Sequence, residues 1–321
     1  MKIVYFIQTY KNPSQIKRLV NTIKLSSLNS QILISHDSKS STVLNESDFE
    51  SIPGVNLIYN RGGRGDFYTV ESYINSLRWL FDNQMEFDWI VNISGQDYPI
   101  QPLPLLEQCL SKTEYDGFLE YRDVFSQDSY SGLKESVERY YYQYWHSGIY
   151  LLTWQKALIK PLKVLLNNIQ GFVKINISYQ VSIGIKTFQN IFDEKFKCYR
   201  GALYKILSNR CAKYLYKTAE EQVHLVDYYK KTLVPEESFM QTILANSNLF
   251  NLCDKNLFYS DWSGSKHGSP KILTVADYST LTNTEDYYFA RKFDPAVDSE
   301  ILDRLDKHIF EQLGLELDQR Q

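Results

Sequence analysis

Short apolar runs alternate with segments of helical periodicity along the first part of the chain, and this alternation constrains the fold most. Runs typical of buried strands occur at 2–8, 31–35, 55–59, 88–94 and 117–121. Helices are predicted between them, the first with Asn12 as its N-cap and Pro13 at its first helical position. Alternating strands and helices form βαβ units, so the sequence predicts an α/β fold whose mostly parallel central sheet is flanked by helices.

The pattern changes between about 125 and 200 and then returns. That stretch is aromatic and polar at first, and then mixes lysine with apolar residues and has almost no acids. Beyond it, a strand and a helix are predicted in GALYKILSNRCAKYLYKT, a helix starts at Pro235, and an amphipathic helix lies near the C-terminus. With no internal repeat and no linker-like segment, the sequence predicts one domain over 1–321 with a helical and aromatic insert at about 125–200.

The lysines of this insert alternate with leucine, isoleucine, valine and phenylalanine. Basic residues beside apolar ones are typical of segments that contact an anionic membrane surface. The ordinary alternative is a helical insert that carries lysines and packs on the domain. The lysines concerned are Lys156, Lys160, Lys163, Lys174 and Lys186.

The composition excludes several classes of protein. A net charge of -3 and a pI near 6.0 argue against nucleic acid as the main partner. Four scattered cysteines, none in a CxxC pair, indicate free thiols in a reducing compartment rather than zinc ligands. No apolar run is long enough to span a bilayer, and the first is too short for a signal peptide. We expect a cytoplasmic protein that can lie peripherally at the inner face of the plasma membrane.

Three polar turns follow predicted strands, and ligands of parallel sheets bind at that edge. The turns are SHDSK at 35–39, RGGRGD at 61–66 and SGQDYP at 94–99. Many sugar transferases place Asp-x-Asp at such a turn, where two carboxylates hold a divalent cation against a diphosphate. This chain has no Asp-x-Asp, and its third turn offers only Asp97. Asp97 is therefore either a functional acid or the cap of a strand-ending turn.

Two further motifs carry charges suited to catalysis. In VPEESF, Glu236 and Glu237 lie near a predicted helix N-terminus, where the helix dipole favours an ionised carboxylate suited to act as a general base. Acids in a first helical turn are also ordinary helix starts. In YYFARKFD, Phe289 and Phe293 bracket Arg291 and Lys292. This cationic pair either binds an anion or forms a buried ion pair with Asp294.

Taken together, the motifs resemble one family. YFIQTYKNPSQIKRLV, ISHDSKS, VNISGQDYPI, PEESFMQTIL, DWSGSKHGSPKILT and YYFARKFD occur in this order. They are similar to the core-2/I-branching N-acetylglucosaminyltransferases and peptide O-xylosyltransferases over about residues 2–310. The resemblance implies a variant GT-A fold. It also implies inverting transfer of a sugar from a UDP-sugar with neither a metal nor another cofactor.

The resemblance also implies roles for individual residues. Glu237 matches the general base that deprotonates the acceptor hydroxyl, and Glu236 is its neighbour. Glu120 and Trp262 match contacts to the acceptor sugar. The donor-binding residues are then Ile7 at the uracil pocket, Asp37, Arg64 in the donor loop, Asp97, and Lys271, Arg291 and Lys292 at the diphosphate.

Two departures from the family pattern bear on these roles. Glu-Glu-Ser stands where relatives often carry Asp-Glu-His, so either Glu236 or Glu237 is the base. Arg64-Gly65-Asp66 replaces a frequent Trp-Gly-Gly in the donor loop, so the resemblance does not fix the donor beyond the GlcNAc or xylose class.

The resemblance thus implies a bacterial enzyme of surface polysaccharide synthesis (capsule, O-antigen or exopolysaccharide). Its acceptor would be a saccharide, carried on a polyprenyl diphosphate. Two alternatives stay open: a sugar-binding protein that lost catalysis, and a metal-dependent GT-A transferase.

Overall fold

A seven-stranded sheet forms the centre of the chain in a computed structural model that describes residues 1–125, 133–188, 190–263 and 269–315. Three smaller sheets accompany it. The strands in chain order are β1 (Ile3–Thr9), β2 (Gln31–Asp37), β3 (Val55–Asn60), β4 (Trp89–Ser94), β5 (Asp97–Pro99), β6 (Gly117–Leu119), β7 (Arg122–Asp123), β8 (Tyr142–His146), β9 (Val173–Asn176), β10 (Ser182–Lys186), β11 (Tyr199–Arg200), β12 (Lys205–Ser208), β13 (Leu252–Cys253), β14 (Phe258–Ser260) and β15 (Phe289–Arg291).

The helices lie between these strands, and Pro13 begins the first of them as predicted. Of the helices within the described ranges, none combines the length and the apolar character needed to cross a bilayer. Short 3₁₀ turns occur at Glu46–Asp48, Pro235–Glu237 and Val275–Asp277. The α-helices are α1 (Pro13–Ser26), α2 (Tyr68–Asp82), α3 (Leu103–Lys112), α4 (Leu133–Tyr140), α5 (Thr153–Ile169), α6 (Asn209–Glu221), α7 (Val223–Tyr229), α8 (Phe239–Ser247), α9 (Tyr278–Thr282) and α10 (Glu300–Leu313).

The central sheet has the strand order β13-β6-β12-β4-β1-β2-β3. The four strands from β4 to β3 are parallel, and β12 runs antiparallel between β4 and β6. Ile7 of β1 lies level with Ile34 and Ile93 on its two neighbours. The predicted α/β fold with a mostly parallel sheet is confirmed, and the predicted strands occur within a few residues of their expected bounds.

Apolar layers cover both faces of this sheet. In β1 the odd-numbered Ile3, Tyr5 and Ile7 pack in a core with residues of α1, α3 and α10, while Val4 and Phe6 pack in a core with residues of α2, α6 and α8. Burial on both faces explains why the strands are continuous apolar runs rather than alternating ones.

The four cysteines are free thiols, as their spacing predicted. Cys198 and Cys211 are buried, and burial raises the pKa of each thiol to about 12. Thiols in such surroundings are unreactive and act as small core residues.

The predicted insert contains its own small sheet, in which β10 lies between β8 and β9. Helix α4 precedes this sheet, and α5 connects β8 to β9. Residues 126–132 and 189 of the insert lie outside the described residues, as does part of the DWSGSKHGSPKILT motif, at 264–268. The single-domain boundary at 1–321 stays a prediction.

Candidate active site

A cavity of about 1260 Å³ opens at the carboxyl ends of the central parallel strands. Its floor includes Gln8 and Thr9 at the end of β1, Ser35 and Asp37 at the end of β2, and Ser94 at the end of β4. This is the edge at which parallel sheets bind ligands. Three of the turns singled out in the sequence therefore meet at one site.

Seven of the ten predicted site residues line this cavity, and three do not. The lining residues are Asp37, Arg64, Glu120, Glu237, Trp262, Arg291 and Lys292. The remaining three are Ile7, Asp97 and Lys271.

Arg291 lines the cavity and lies on a strand that the FARKF motif forms. β15 is parallel to β14 and antiparallel to β5, so that Arg291 faces Asp97 across the sheet. Its Nε lies 3.6 Å from Asp97 Oδ1, and its guanidinium carbon lies 4.1 Å from the ring centroid of Tyr204. Burial lowers the pKa of Arg291, although Asp97 opposes that effect. The guanidinium is thus held between a carboxylate and an aromatic face, with its position fixed before any ligand binds.

Lys292 lies beside Arg291, and its Nζ donates a hydrogen bond to Ser269 Oγ at 3.1 Å. Burial lowers the pKa of Lys292, and the neighbouring cations Lys11, Arg291 and Arg64 lower it further. Asp294 pairs with Lys11 at 3.1 Å. The alternative of a buried Arg291–Asp294 pair is therefore not what the structure shows, because the carboxylate beside Arg291 belongs to Asp97.

The aromatic residues of the same motif explain its rigidity. Phe289 and Phe293 are fully buried in the core, and Phe289 stacks on Phe258 with ring centroids 5.5 Å apart.

Four cations line the cavity: Lys11, Arg64, Arg291 and Lys292. Binding of an anion relieves the mutual repulsion of such cations. We call these four residues the cationic cluster.

The loop at 61–66 contributes Arg64 to this cluster. Asp37 Oδ1 accepts the backbone N–H groups of Gly62 and Lys39, each at 2.9 Å, and so ties the end of β2 to the loop. Gly65 has φ 74°, and a Cβ at this position would lie 2.3 Å from the Tyr179 ring. The loop therefore needs glycine here on both grounds.

Ile7, Asp97 and Lys271 are not among the residues that line the cavity, and their donor-binding roles stay predictions. The Ile7 side chain is fully buried between strands, and it is the following residues of β1 that reach the cavity. Asp97 is also fully buried, where it accepts the Ser94 N–H at 2.6 Å and supports Arg291 from behind. Lys271 Nζ donates to Asp277 at 2.7 Å. This ion pair engages the ammonium group with a carboxylate of the chain itself.

Glu237 also lines the cavity, and it lies in the 3₁₀ turn Pro235–Glu237. Its Oε2 accepts hydrogen bonds from Arg139 at 2.8 Å and from Arg200 at 3.2 Å. The side chain keeps 32% of its surface exposed, so the carboxylate is both fixed and accessible. Both arginines bond to Oε2, so neither of them occupies Oε1.

Glu236 has a different environment, although it also touches the cavity wall. Its Oε1 accepts the Gly65 N–H at 3.1 Å, and the Val234 N–H donates to the Gly65 carbonyl at 3.1 Å. Its Oε2 is buried. Burial raises the pKa of Glu236 to about 8. Glu236 therefore fastens the 61–66 loop, and its raised pKa favours the neutral carboxyl at neutral pH.

The raised pKa of Glu236 predicts how stability depends on pH. Its ordinary pKa is 4.5, so between that value and about 8 the folded chain binds more protons than the unfolded chain. Stability then falls as pH rises, by up to about 1.4 kcal/mol per pH unit from this group alone. Glu236→Gln keeps the bond to Gly65 and removes the titration. We expect the free energy of unfolding of the variant, measured by chemical denaturation relative to that of the parent protein, to rise by about 1–3 kcal/mol between pH 5 and pH 8.

The matched control for that experiment is Glu114→Gln, at an exposed position. It should follow the parent protein at every pH. Parallel pH profiles of the parent and Glu236→Gln would show that the Glu236 carboxyl is ionised in the folded chain.

Both predicted acceptor residues, Glu120 and Trp262, line the cavity. Glu120 Oε1 accepts a hydrogen bond from Asn256 Nδ2 at 2.8 Å. Burial, followed by the charges of Asp254 and Glu237, raises the pKa of Glu120. Trp262 is 54% exposed, and its indole N–H donates to Ser260 Oγ. The cavity lining thus combines a cluster of cations, the acids Glu120 and Glu237, and an exposed aromatic ring.

Sequence reasoning missed the residues that hold Glu237 and complete the cationic cluster. Arg139, Arg200 and Lys11 belong to distant segments, and only the fold brings them to the site. Arg139 precedes three tyrosines and Arg200 follows Tyr199, which is the same signal of a charge among aromatic residues that singled out Arg291.

Within the described ranges, no group of three or more His, Cys, Asp or Glu side chains is placed to hold a metal ion. Metal-independent chemistry stays a prediction.

Comparisons with known proteins give the following similarities. The rat xylosyltransferase 2 is 31% identical over 126 residues, which are 34% of this chain and 15% of the rat protein. Human xylosyltransferase 1 is 29% identical over 126 residues, 34% of this chain and 13% of its own length. The chain thus matches less than a fifth of the length of these relatives. An active-site mutant of LgtC is 9% identical over 98% of this chain and 95% of its own, with a TM-score of 0.43.

A family model described as Core-2/I-Branching enzyme matches residues 3–282. That range contains the carboxyl ends of the central strands and Glu237. The resemblance inferred from the motifs is confirmed. The chain belongs to the Core-2/I-Branching enzyme family of glycosyltransferases.

Proposed function

We propose that the chain is an inverting glycosyltransferase that moves a sugar of the GlcNAc or xylose class from a UDP-sugar to a hydroxyl of a saccharide acceptor. One observation carries this proposal: the cationic cluster and the Glu237 carboxylate line the same cavity. Its volume of about 1260 Å³ exceeds that of an ordinary small-molecule pocket, as a site for both a nucleotide sugar and an acceptor must.

The cationic cluster would bind the diphosphate of the donor. When the glycosyl bond breaks, its electron pair goes to the leaving UDP oxygen, and negative charge grows on the diphosphate. Fixed cations stabilise that charge more strongly in the transition state than in the bound donor, because they need no reorganisation. Arg291 is the most rigid of them, held by Tyr204 and Asp97. This arrangement supports transfer without a metal.

Glu237 would be the general base. Its Oε1 takes the proton of the acceptor hydroxyl while the acceptor oxygen attacks the anomeric carbon from the face opposite UDP, so the configuration inverts. Arg139 and Arg200 hold the carboxylate through Oε2 and thereby aim Oε1. Glu120 and Trp262 would position the acceptor sugar, the first by hydrogen bonds and the second by contact of its ring with the apolar face of the sugar.

The physiological acceptor is proposed to be a saccharide on a polyprenyl diphosphate in the synthesis of a bacterial surface polysaccharide. The relatives named xylosyltransferase support a monosaccharide donor but belong to animals. Support for a lipid-linked acceptor comes from the surface of the insert.

The direct test is release of UDP from a panel of UDP-sugars, with and without saccharide acceptors, in excess EDTA. We expect acceptor-dependent release of UDP that EDTA leaves unchanged. Donor binding without any turnover would indicate a sugar-binding protein of the same fold. Activity lost in EDTA and restored by Mn²⁺ would indicate a metal-dependent transferase and would overturn the role of the cationic cluster.

A further inference from the structure

One side of α5 carries large apolar side chains that face solvent. The stripe repeats every three or four residues, which places its members on one face of the helix. No residue of α5 is buried. The exposed fractions are 61% for Trp154, 71% for Leu158, 57% for Leu162, 56% for Leu165 and 70% for Ile169.

The opposite side of α5 is polar, and that side fastens the helix to the chain. Lys156 Nζ donates to the Ser178 carbonyl at 2.7 Å. The Asn167 side chain exchanges hydrogen bonds of 3.0 and 2.8 Å with the backbone of Ile175. An ordinary surface helix turns its apolar side inward. The reversed orientation leaves the apolar stripe as the side available to a partner.

Two phenylalanines extend this stripe beyond the end of the helix. Phe172 follows α5 by three residues and is 61% exposed, and Phe188 is 85% exposed. The ring centroids of Phe172 and Phe188 lie 6.3 Å apart. We call the apolar stripe of α5, together with the Phe172 and Phe188 rings, the α5 surface. A continuous apolar patch of this kind marks an interaction site.

The charge around the α5 surface identifies the kind of partner. From 139 to 192 the sequence has no Asp or Glu, although the whole chain has a net charge of -3. Lys160 and Lys186 are exposed in that range, and Lys156 and Lys163 add to its positive charge, whereas Lys174 is buried and paired with Glu138 at 3.1 Å. A second copy of the chain would bring the same positive charge against this one. An anionic lipid surface is complementary both to the lysines and to the apolar stripe.

We propose that the α5 surface docks on an anionic phospholipid bilayer, with the apolar stripe at the level of the headgroups and the lysines reaching the phosphates. Lysine stems can lie along apolar surface while their amines stay in water. The polar side of α5 lies near the cavity, because Lys156 donates to the carbonyl of Ser178 and the next residue, Tyr179, lines the cavity. The idea that docking presents a lipid-linked acceptor to the active site rests on the proposed function. The docking of the α5 surface on a bilayer does not.

The test is co-sedimentation of the full chain with vesicles of phosphatidylglycerol and phosphatidylcholine, and with vesicles of phosphatidylcholine alone. We expect binding to the anionic vesicles to be at least about tenfold stronger. The triple variant Leu158→Glu, Leu162→Glu and Leu165→Glu should weaken that binding by about tenfold or more, since it puts charge in the apolar stripe.

The matched control introduces the same charges elsewhere. Leu28, Leu249 and Val297 are 77%, 56% and 59% exposed, so Leu28→Glu, Leu249→Glu and Val297→Glu together should bind vesicles within about twofold of the parent protein. Thermal unfolding confirms that each variant is folded. Lys160→Glu with Lys186→Glu should remove the preference for anionic vesicles.

Three outcomes would overturn the docking proposal. The first is a parent protein that does not bind anionic vesicles. The second is a folded Leu→Glu triple variant that binds them as the parent does. The third combines two results: the parent protein does not bind vesicles, and it forms a dimer in sedimentation velocity that the triple variant does not form. The partner of the α5 surface would then be a second copy of the chain. None of these measurements needs a sugar nucleotide, so failure here is distinguishable from failure of the transferase proposal.

Discussion

Glu237→Gln should lower turnover by about 10²–10⁴-fold, which is the usual contribution of general-base catalysis. The amide keeps the size of the side chain and can still accept a hydrogen bond from Arg139 or Arg200, but it cannot take the acceptor proton. UDP affinity should stay close to that of the parent protein, because the cationic cluster is untouched. Single-turnover kinetics and UDP titration separate the two effects.

The control for this experiment is the adjacent acid. Glu236→Gln should retain most of the activity, since its carboxyl is buried and bonded to the Gly65 N–H. An inactive Glu236→Gln protein that is folded, beside an active Glu237→Gln protein, would assign the base to Glu236. Loss of activity in both variants with a normal fold would show that the two acids act together.

Lys292→Ala should lower kcat by about 10²–10³-fold, because one fixed cation is lost where charge grows on the departing diphosphate. UDP binding should weaken by a smaller factor, since the diphosphate gains charge only as the glycosyl bond breaks. Initial rates give the first effect, and calorimetric titration with UDP gives the second. Thermal unfolding should show little change, because Lys292 lines the cavity and donates to a single hydroxyl.

Lys271→Ala is the matched control for Lys292→Ala. It removes the same charge, but the Lys271 side chain is bonded to Asp277 and does not line the cavity. It should change kcat by less than about threefold, in keeping with the small energies of exposed ion pairs. An equal loss in both variants would show that Lys271 turns toward the donor. A Lys292→Ala protein that is destabilised but otherwise fully active would make Lys292 a structural residue.

Arg291→Lys should also be harmful, because a lysine cannot stack flat on Tyr204 and grip two phosphate oxygens at once. The loss should appear in UDP affinity and in kcat together. It should exceed the loss from Lys271→Ala although Arg291→Lys conserves the charge.

The sequence by itself determined the class of fold and the segments that build the site. Continuous apolar strands imply burial on both faces, and that burial requires helices on each side of a parallel sheet. The carboxyl ends of such strands form one edge, so the polar turns at 35–39 and 61–66 could be assigned to one site before any coordinates. The aromatic bracket around Arg291 and Lys292 was readable for the same reason, since a cation between buried rings must have a fixed position.

The tertiary structure decided which side chain of each segment faces the cavity. Ile7 and Asp97 belong to motifs that reach the cavity, but both side chains are buried in the interior. Successive side chains of a strand point to opposite faces, so a shift of one residue exchanges a core position for a cavity position. Lys271 is adjacent in space to Lys292 but is bonded to Asp277. No local pattern encodes these choices, because each depends on strands and loops that are distant in sequence.

The difference between Glu236 and Glu237 was likewise decided only by folding. The two acids are neighbours in one turn, so propensity and charge treat them alike. Glu236 is bonded to Gly65, which belongs to a loop more than a hundred residues earlier in the chain. Glu237 is instead bonded to Arg139 and Arg200 at the cavity. The orientation of α5 was also decided only by folding. The sequence indicated a helix with lysines and apolar residues, but hydrogen bonds to the Ser178 and Ile175 backbone hold its polar side against the chain and leave its apolar side facing solvent.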